Sequence, residues 1–153
     1  MKKIVGCLLI VLLIIGGTGC SKDEIVNTYN NVIQLAGKNQ LTSDIKLTGK
    51  REKGVDDYVG KYSANYKNFS NTEYIFGGTS INHKSGNKLK VTYNTNADNG
   101  SIKLILKSGN SNPVIICDSN KFDSVIELPD GSNYLSLEGD NFTGNTTLNV
   151  TSD

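Results

Sequence analysis

The sequence predicts a mainly β protein: a single jelly-roll-like β-sandwich of eight to nine short antiparallel strands, preceded by one short α-helix. Three observations predict it. Beyond Gly37 the apolar residues change from helical spacing to strict alternation. The alternating runs are short and are separated by Gly, Asn, Asp, Ser and Pro clusters, the residues that turns require. The composition carries 16 Gly, only 2 Pro and no Trp, with charges of both signs interspersed, as in a turn-rich β domain with a polar exterior. No linker and no repeat divides the chain, and the part from Cys20 onward, about 130 residues, fits one domain and can bury a core without disulfides or metal.

The first element is a leader. Met1-Lys2-Lys3 is basic, the run Ile4–Ile15 is apolar, and Gly16-Gly17-Thr18-Gly19-Cys20 follows. Twelve residues make about 18 Å of helix, whereas a bilayer core of roughly 30 Å needs about 20 residues to span. The arrangement resembles a bacterial lipoprotein signal peptide, with small residues ahead of a cysteine. Gly17 departs from that pattern, which usually has an aliphatic residue there. The resemblance implies removal of residues 1–19, acylation of Cys20 with palmitate-type chains, and tethering at the extracytoplasmic face of the cell membrane. Two acyl chains, at ~0.8 kcal/mol per buried CH₂, suffice for stable anchoring.

Residues 20–37 then hold the lipidated cysteine and a helix. Ile25, Tyr29, Val32, Ile33 and Ala36 fall on one face, and Gly37 is a natural stop. Asn and Thr give this segment poor intrinsic helicity, so the helix depends on docking against the domain. The β domain covers residues 38–153. Asp44–Thr48 alternates and is expected as a first strand. Tyr62, Ala64 and Tyr66 face one way, and Ser63, Asn65 and Lys67 the other. Tyr74-Ile75-Phe76 is a short strand ended by Gly77-Gly78. Leu89–Tyr93 and Ile102–Leu106 read as a hairpin turning at Asp98-Asn99-Gly100. Val114–Cys117 reads as a buried strand and Ser124–Leu128 as another, with a turn at Pro129–Asn133. Tyr134–Leu137 and Thr146–Val150 read as a last hairpin around Phe142-Thr143-Gly144.

Without Lys2 and Lys3 the chain keeps 14 basic and 15 acidic side chains, a net charge of −1. That balance gives no electrostatic footprint for nucleic acid. With Cys7 removed and Cys20 acylated, Cys117 is the one remaining thiol and reads as a small core hydrophobe. His83, the only histidine, lies in a polar turn and reads as solvated rather than catalytic. One His and one buried Cys cannot supply a transition-metal site. Asp118-x-Asn120-x-x-Asp123 has calcium-like spacing, but Asp123 and Pro129 stand where an EF-hand loop needs Gly and Glu. No cofactor and no metal are expected. A ligand site, if the domain has one, would use Tyr58 and Tyr74 as exposed aromatics, with the Asp56-Asp57 pair beside them. Tyr62, Tyr66 and Tyr93 alternate toward the core.

The stretch Gly54-Val55-Asp56-Asp57-Tyr58-Val59-Gly60-Lys61-Tyr62-Ser63-Ala64-Asn65-Tyr66, with Phe69, Glu73 and Phe76-Gly77-Gly78-Thr79-Ser80, resembles a family of small Firmicute (Gram-positive) lipoproteins. The tail Asn133–Gly144 fits the same pattern and is more loosely similar to the last hairpin of bacterial pre-peptidase C-terminal sandwiches, which are accessory domains. The resemblance rests on turn glycines and core aromatics, so it implies a location and a β fold and assigns no activity. The expected function is that of a non-enzymatic, lipid-anchored protein binding another protein or an envelope polymer at the cell surface. The alternative is a small-ligand module for a glycan or calcium.

Overall fold

The computed structural model describes residues 41–79 and 83–153. The leader, Cys20 and the helix expected over residues 25–37 lie outside the described residues. The described residues form seven strands in one antiparallel sheet: β1 (Lys50–Lys53), β2 (Gly60–Phe69), β3 (Thr72–Gly78), β4 (Lys88–Ser108), β5 (Val114–Cys117), β6 (Lys121–Glu127) and β7 (Asn133–Ser152). No helix occurs among them.

Two strands of about twenty residues organise the sheet. β4 and β7 pair antiparallel over nearly their whole length, from Leu89 opposite Ser152 to Ser108 opposite Asn133. On the far side of β7, β2 pairs with its C-terminal half and β3 with its N-terminal half. On the far side of β4, β6 and β5 divide that strand in the same way. The molecule is therefore four long chain passes, and each is interrupted at the same level. The interruptions are Ser70-Asn71, Ala97–Ser101, Asp118–Asn120 and Gly139–Thr143, and the two in β4 and β7 face each other across the ladder. They define a crease.

The chain folds back at that crease. Tyr62 and Tyr66 both reach Glu73 with their hydroxyls, although eleven extended residues would span about 36 Å. On one side of the crease lie β1, β2, the C-terminal half of β7, the N-terminal half of β4, and β6. On the other lie β3, the remaining halves of β7 and β4, and β5. The inward residues of both halves make one cluster: Tyr62, Ala64, Tyr66, Leu89, Val91, Tyr93, Leu148 and Val150 with Ile75, Phe76, Leu104, Leu106, Leu135, Leu137 and Cys117. Full burial of each large side chain contributes about 1.5–3 kcal/mol. Tyr62, Tyr66, Tyr93 and Cys117 thus occupy the core positions that alternation assigns them.

Four local expectations are corrected. Asp98-Asn99-Gly100 and Phe142-Thr143-Gly144 do not reverse the chain. Gly100 (φ 71°) and Asn141 (φ 48°) adopt positive φ within continuous strands, so β4 and β7 bend and bulge together while keeping their mutual hydrogen bonds. Among the described residues seven strands result, where eight or nine were expected. Asp44–Thr48 is not a strand: the Lys46 and Leu47 amides both donate to the Ser43 carbonyl in a turn, and the first strand begins at Lys50. Gly77 and Gly78 extend β3 rather than end it. Val114 and Ile115 are 59% and 54% exposed, because β5 is an edge strand paired only with β4.

The opposite edge is covered. The Thr42 amide donates to the Tyr74 carbonyl (3.1 Å), and the Tyr74 amide donates to Thr42 Oγ1 (2.9 Å). The Arg51 guanidinium donates to the Ile75 and Thr42 carbonyls (2.9 Å each) and pairs with Asp44 (2.6 Å). These contacts satisfy the groups that β3 would otherwise offer to another strand.

Candidate functional site

The residues expected to bind a ligand serve the fold. Asp56 Oδ1 accepts from the Tyr58 amide and Oδ2 from the Ser85 amide, both at 2.9 Å, so its carboxylate ties two loops together. Asp57 pairs with Lys53 (2.8 Å), and its carbonyl accepts from the Gly77 amide (2.7 Å). Tyr58 is 4% exposed and packs its ring on His83 at 4.0 Å between centroids. It offers no platform to solvent. Tyr74 is half-buried on a different strand, edge-on to Tyr134 at 6.0 Å. The four residues do not converge on one surface. The calcium-like spacing fares similarly: the Asn120 carbonyl accepts from the Thr95 amide (2.8 Å), and Asp123 is held by Lys90 (2.8 Å) and Thr92 (3.0 Å). The hydrogen bond from Lys90, then that from Thr92, hold the Asp123 carboxyl below its usual range. Among the described residues, no three His, Cys, Asp or Glu side chains gather where they could hold a metal.

A different surface carries a groove. On the outer face of the first half, alternation points polar side chains away from the core, and the register sets them in rows across the strands. Glu52, Lys61, Asn149, Thr92 and Asp123 form one row; Lys50, Ser63, Thr147, Asn94 and Lys121 form the next. Asn65, Asn145 and Asn96 form a third. Within a row neighbours sit about 4.8 Å apart, and rows follow at about 6.8 Å along the strands. Two grooves of about 410 and 460 Å³ lie on this face and share Lys50, Ser63 and Thr147, so they form one continuous trough. Its rims carry amides, hydroxyls and charges of both signs, and Tyr62, Ala64 and Leu148 line its floor. Lys50 and Glu52 pair at 2.7 Å: that hydrogen bond holds the Glu52 carboxyl below its ordinary range and pushes the Lys50 ammonium up. The sequence carried a sign of this surface in the polar positions of Lys61-Tyr62-Ser63-Ala64-Asn65 and Asn145-Thr146-Thr147-Leu148-Asn149, but which strands lie side by side is a non-local fact.

Beneath the trough sits a buried polar knot. The Tyr62 and Tyr66 hydroxyls donate to Glu73 Oε2, each at 2.7 Å. The Thr48 amide and hydroxyl donate to Oε1, also at 2.7 Å, and the Gly49 amide donates to Tyr62 Oη at 3.1 Å. A buried carboxylate is thus satisfied by four neutral donors from two segments, Thr48 and β2. Burial, foremost, pushes the tyrosines up: Tyr93 to about 12, and Tyr62, Tyr66 and Tyr134 in the same direction. Because an unfolded tyrosine titrates near 10, these groups hold their full stabilisation below about pH 10 and lose it as pH rises through their folded values. Unfolding by alkali is therefore expected as a cooperative step between about pH 10 and 12. Tyrosinate absorbance and loss of the β circular-dichroism signal should rise and fall together; early titration of these tyrosines with the sheet intact would contradict this.

No family model matches this chain, and comparison with curated proteins and with solved structures finds no match.

Proposed function

We propose that this is a non-enzymatic lipoprotein, anchored by acyl chains on Cys20 to the extracytoplasmic face of the membrane, whose trough binds a polymer of the cell envelope. The basic start, the apolar run and Gly19-Cys20 support the anchor. The observation that carries the binding function is the continuous trough, edged by rows of polar side chains, shared by β1, β2, β7 and β4. An open trough with donors and acceptors in regular rows suits an extended, hydroxyl-rich chain bearing some charge. A compact apolar ligand would need an enclosed, largely apolar cavity instead. The crease, with Tyr62 and Tyr66 bonded across it to Glu73, supports reading the folded sheet as a two-layer sandwich.

Co-sedimentation with purified cell walls tests this function. The double variant Ser63→Arg/Thr147→Arg fills the middle of the trough with bulk and like charge. The two positions are exposed but directly opposite across β2 and β7, so the paired arginines cost up to about 1 kcal/mol and circular dichroism checks that the sheet is kept. The wild type is expected to sediment with the walls, and the double variant to be retained at least about tenfold less, a loss of 1.4 kcal/mol. Equal retention of the two would sink the proposal. A protein partner is the second reading, favoured by the exposed Val114 and Ile115 on the unpaired edge of β5, where an extended peptide could add a strand.

A further inference from the structure

An edge strand presents unpaired amides and carbonyls to other chains. Among the described residues the folded sheet has such edges at β1, β3, β5 and β6, and all but one are guarded. β1 is four residues long and every one is charged: Lys50, Arg51, Glu52 and Lys53. β3 is covered by Thr42 and Arg51. β5 is four residues long and shifts register against β4 between Leu104 and Ile105. β6 is the exception. It runs seven residues, Lys121–Glu127, in unbroken register with β4 and holds neither Gly nor Pro.

The ladder fixes which groups of β6 are free. The Leu128 amide donates to the Asn87 carbonyl and the Thr95 amide to the Asn120 carbonyl, both at 2.8 Å. β6 continues that register, so its even-numbered residues bond to β4. The amides and carbonyls of Lys121, Asp123, Val125 and Glu127 therefore point off the edge. Apart from the Lys121 carbonyl, which accepts from Ser119 Oγ and Cys117 Sγ, the described residues offer none of these groups a partner. Lys121 and Glu127, at the two ends of the strand, are exposed and make no ion pair among the described residues. Phe122 and Ile126 pack against the core but are only half-buried.

We propose that β6 pairs antiparallel with β6 of a second copy, about a two-fold axis through Ser124. Only registers that set odd-numbered residues opposite one another join the free groups. Charge selects among these registers. Centring the pair on Asp123 opposes two Asp123 carboxylates, and centring it on Val125 opposes Asp123 to Glu127. Like charges directly opposite destabilise a strand pair. Registers shifted further leave less than half the strand paired. Centring on Ser124 instead sets Lys121 opposite Glu127 at both ends, Asp123 opposite Val125, and Phe122 opposite Ile126. The strand is complementary to itself, and the second copy covers the open sides of Phe122 and Ile126. In this register the outer faces of the two copies lie on one side of a continuous sheet. A polymer bound as proposed above would then meet two troughs, although the pairing does not rest on that reading.

Sedimentation equilibrium in density-matched detergent tests the pairing, on the full chain carrying Cys7→Ser and Cys20→Ser. One edge pair is a small interface, so a dimer with a micromolar dissociation constant is expected. Lys121→Glu and Glu127→Lys each oppose like charges at both ends and should weaken that dimer at least about tenfold. An equal mixture of the two variants should restore it, because two acidic ends then face two basic ends. A monomeric parent chain, a dimer that both variants leave intact, or a mixture that does not recover would overturn the proposal. Ser124→Cys gives a second reading in the same background, with the buried Cys117 left in place. The axis sets this position against its own copy at about 4.5 Å between Cα atoms, within reach of a disulfide. Mild oxidation should cross-link it, and should leave Glu52→Cys on the β1 edge monomeric. Equal cross-linking at the two positions, or none at residue 124, would contradict the pairing. Neither readout involves cell walls, so failure here is distinct from failure of the trough.

Discussion

Glu73→Ala is expected to destabilise the fold by about 3–5 kcal/mol, because it strands several buried donors at about 1–3 kcal/mol each. The substitution leaves the Tyr62 and Tyr66 hydroxyls and both Thr48 donors without their acceptor. Three segments that this carboxylate joins, 48–49, β2 and β3, lose their common acceptor, and the crease loses a pin from within. Urea unfolding followed by circular dichroism should show a lower midpoint with an unchanged slope. Glu73→Gln keeps the shape and one acceptor, and should cost roughly half as much. A loss under about 1 kcal/mol for the alanine variant would mean that water replaces the carboxylate, and that the knot is not sealed.

Gly144→Ala is expected to cost about 2–4 kcal/mol, combining backbone strain with a steric clash. Gly144 sits at the crease with φ 152°, opposite Ala97, and a Cβ there would collide with the Asn96 carbonyl oxygen. That obstacle is backbone, so relief requires parting β7 from β4 at the level where both bend. Gly86 is the control. It also has positive φ (77°), but a Cβ there meets nothing within 4 Å, so Gly86→Ala should cost only about 1 kcal/mol. Thermal unfolding of the two variants side by side checks the contrast. Equal losses would show that backbone conformation alone decides, and that the strands at the crease are not in close contact.

The legible part of the fold was the part that local periodicity controls. Val114–Cys117 is a strand over those same residues, and the alternation of Tyr62, Ala64 and Tyr66 chose the buried face. The long strands were not legible. Asp98-Asn99-Gly100 has the chemistry of a reversing turn, and positive φ at Gly100 is equally suited to a bulge. Only the matching irregularity in β7, forty residues later in the chain, decides between them. Ile45 and Leu47 alternate like a strand, yet Ile45 is 98% exposed because nothing packs over that turn. The site shows the same division. Tyr58, Asp56 and Asp57 have the right chemistry for a ligand and are consumed by loop closure and packing. The trough residues looked like solvated strand positions until β1, β2, β7 and β4 were seen side by side. Glu73 lies in the run Glu73-Tyr74-Ile75-Phe76, and nothing local to it announces four donors.

The measurement that bears most directly on the proposed function is a nuclear magnetic resonance titration of the protein with soluble fragments of the cell-wall polymer. Shifts concentrated at residues 61–65, 92–96 and 145–149, saturating with added fragment and lost in Ser63→Arg/Thr147→Arg, are the expected result. Shifts confined to Val114 and Ile115 or to the neighbourhood of Tyr58, or none at all, would contradict the assignment of the trough as the binding surface.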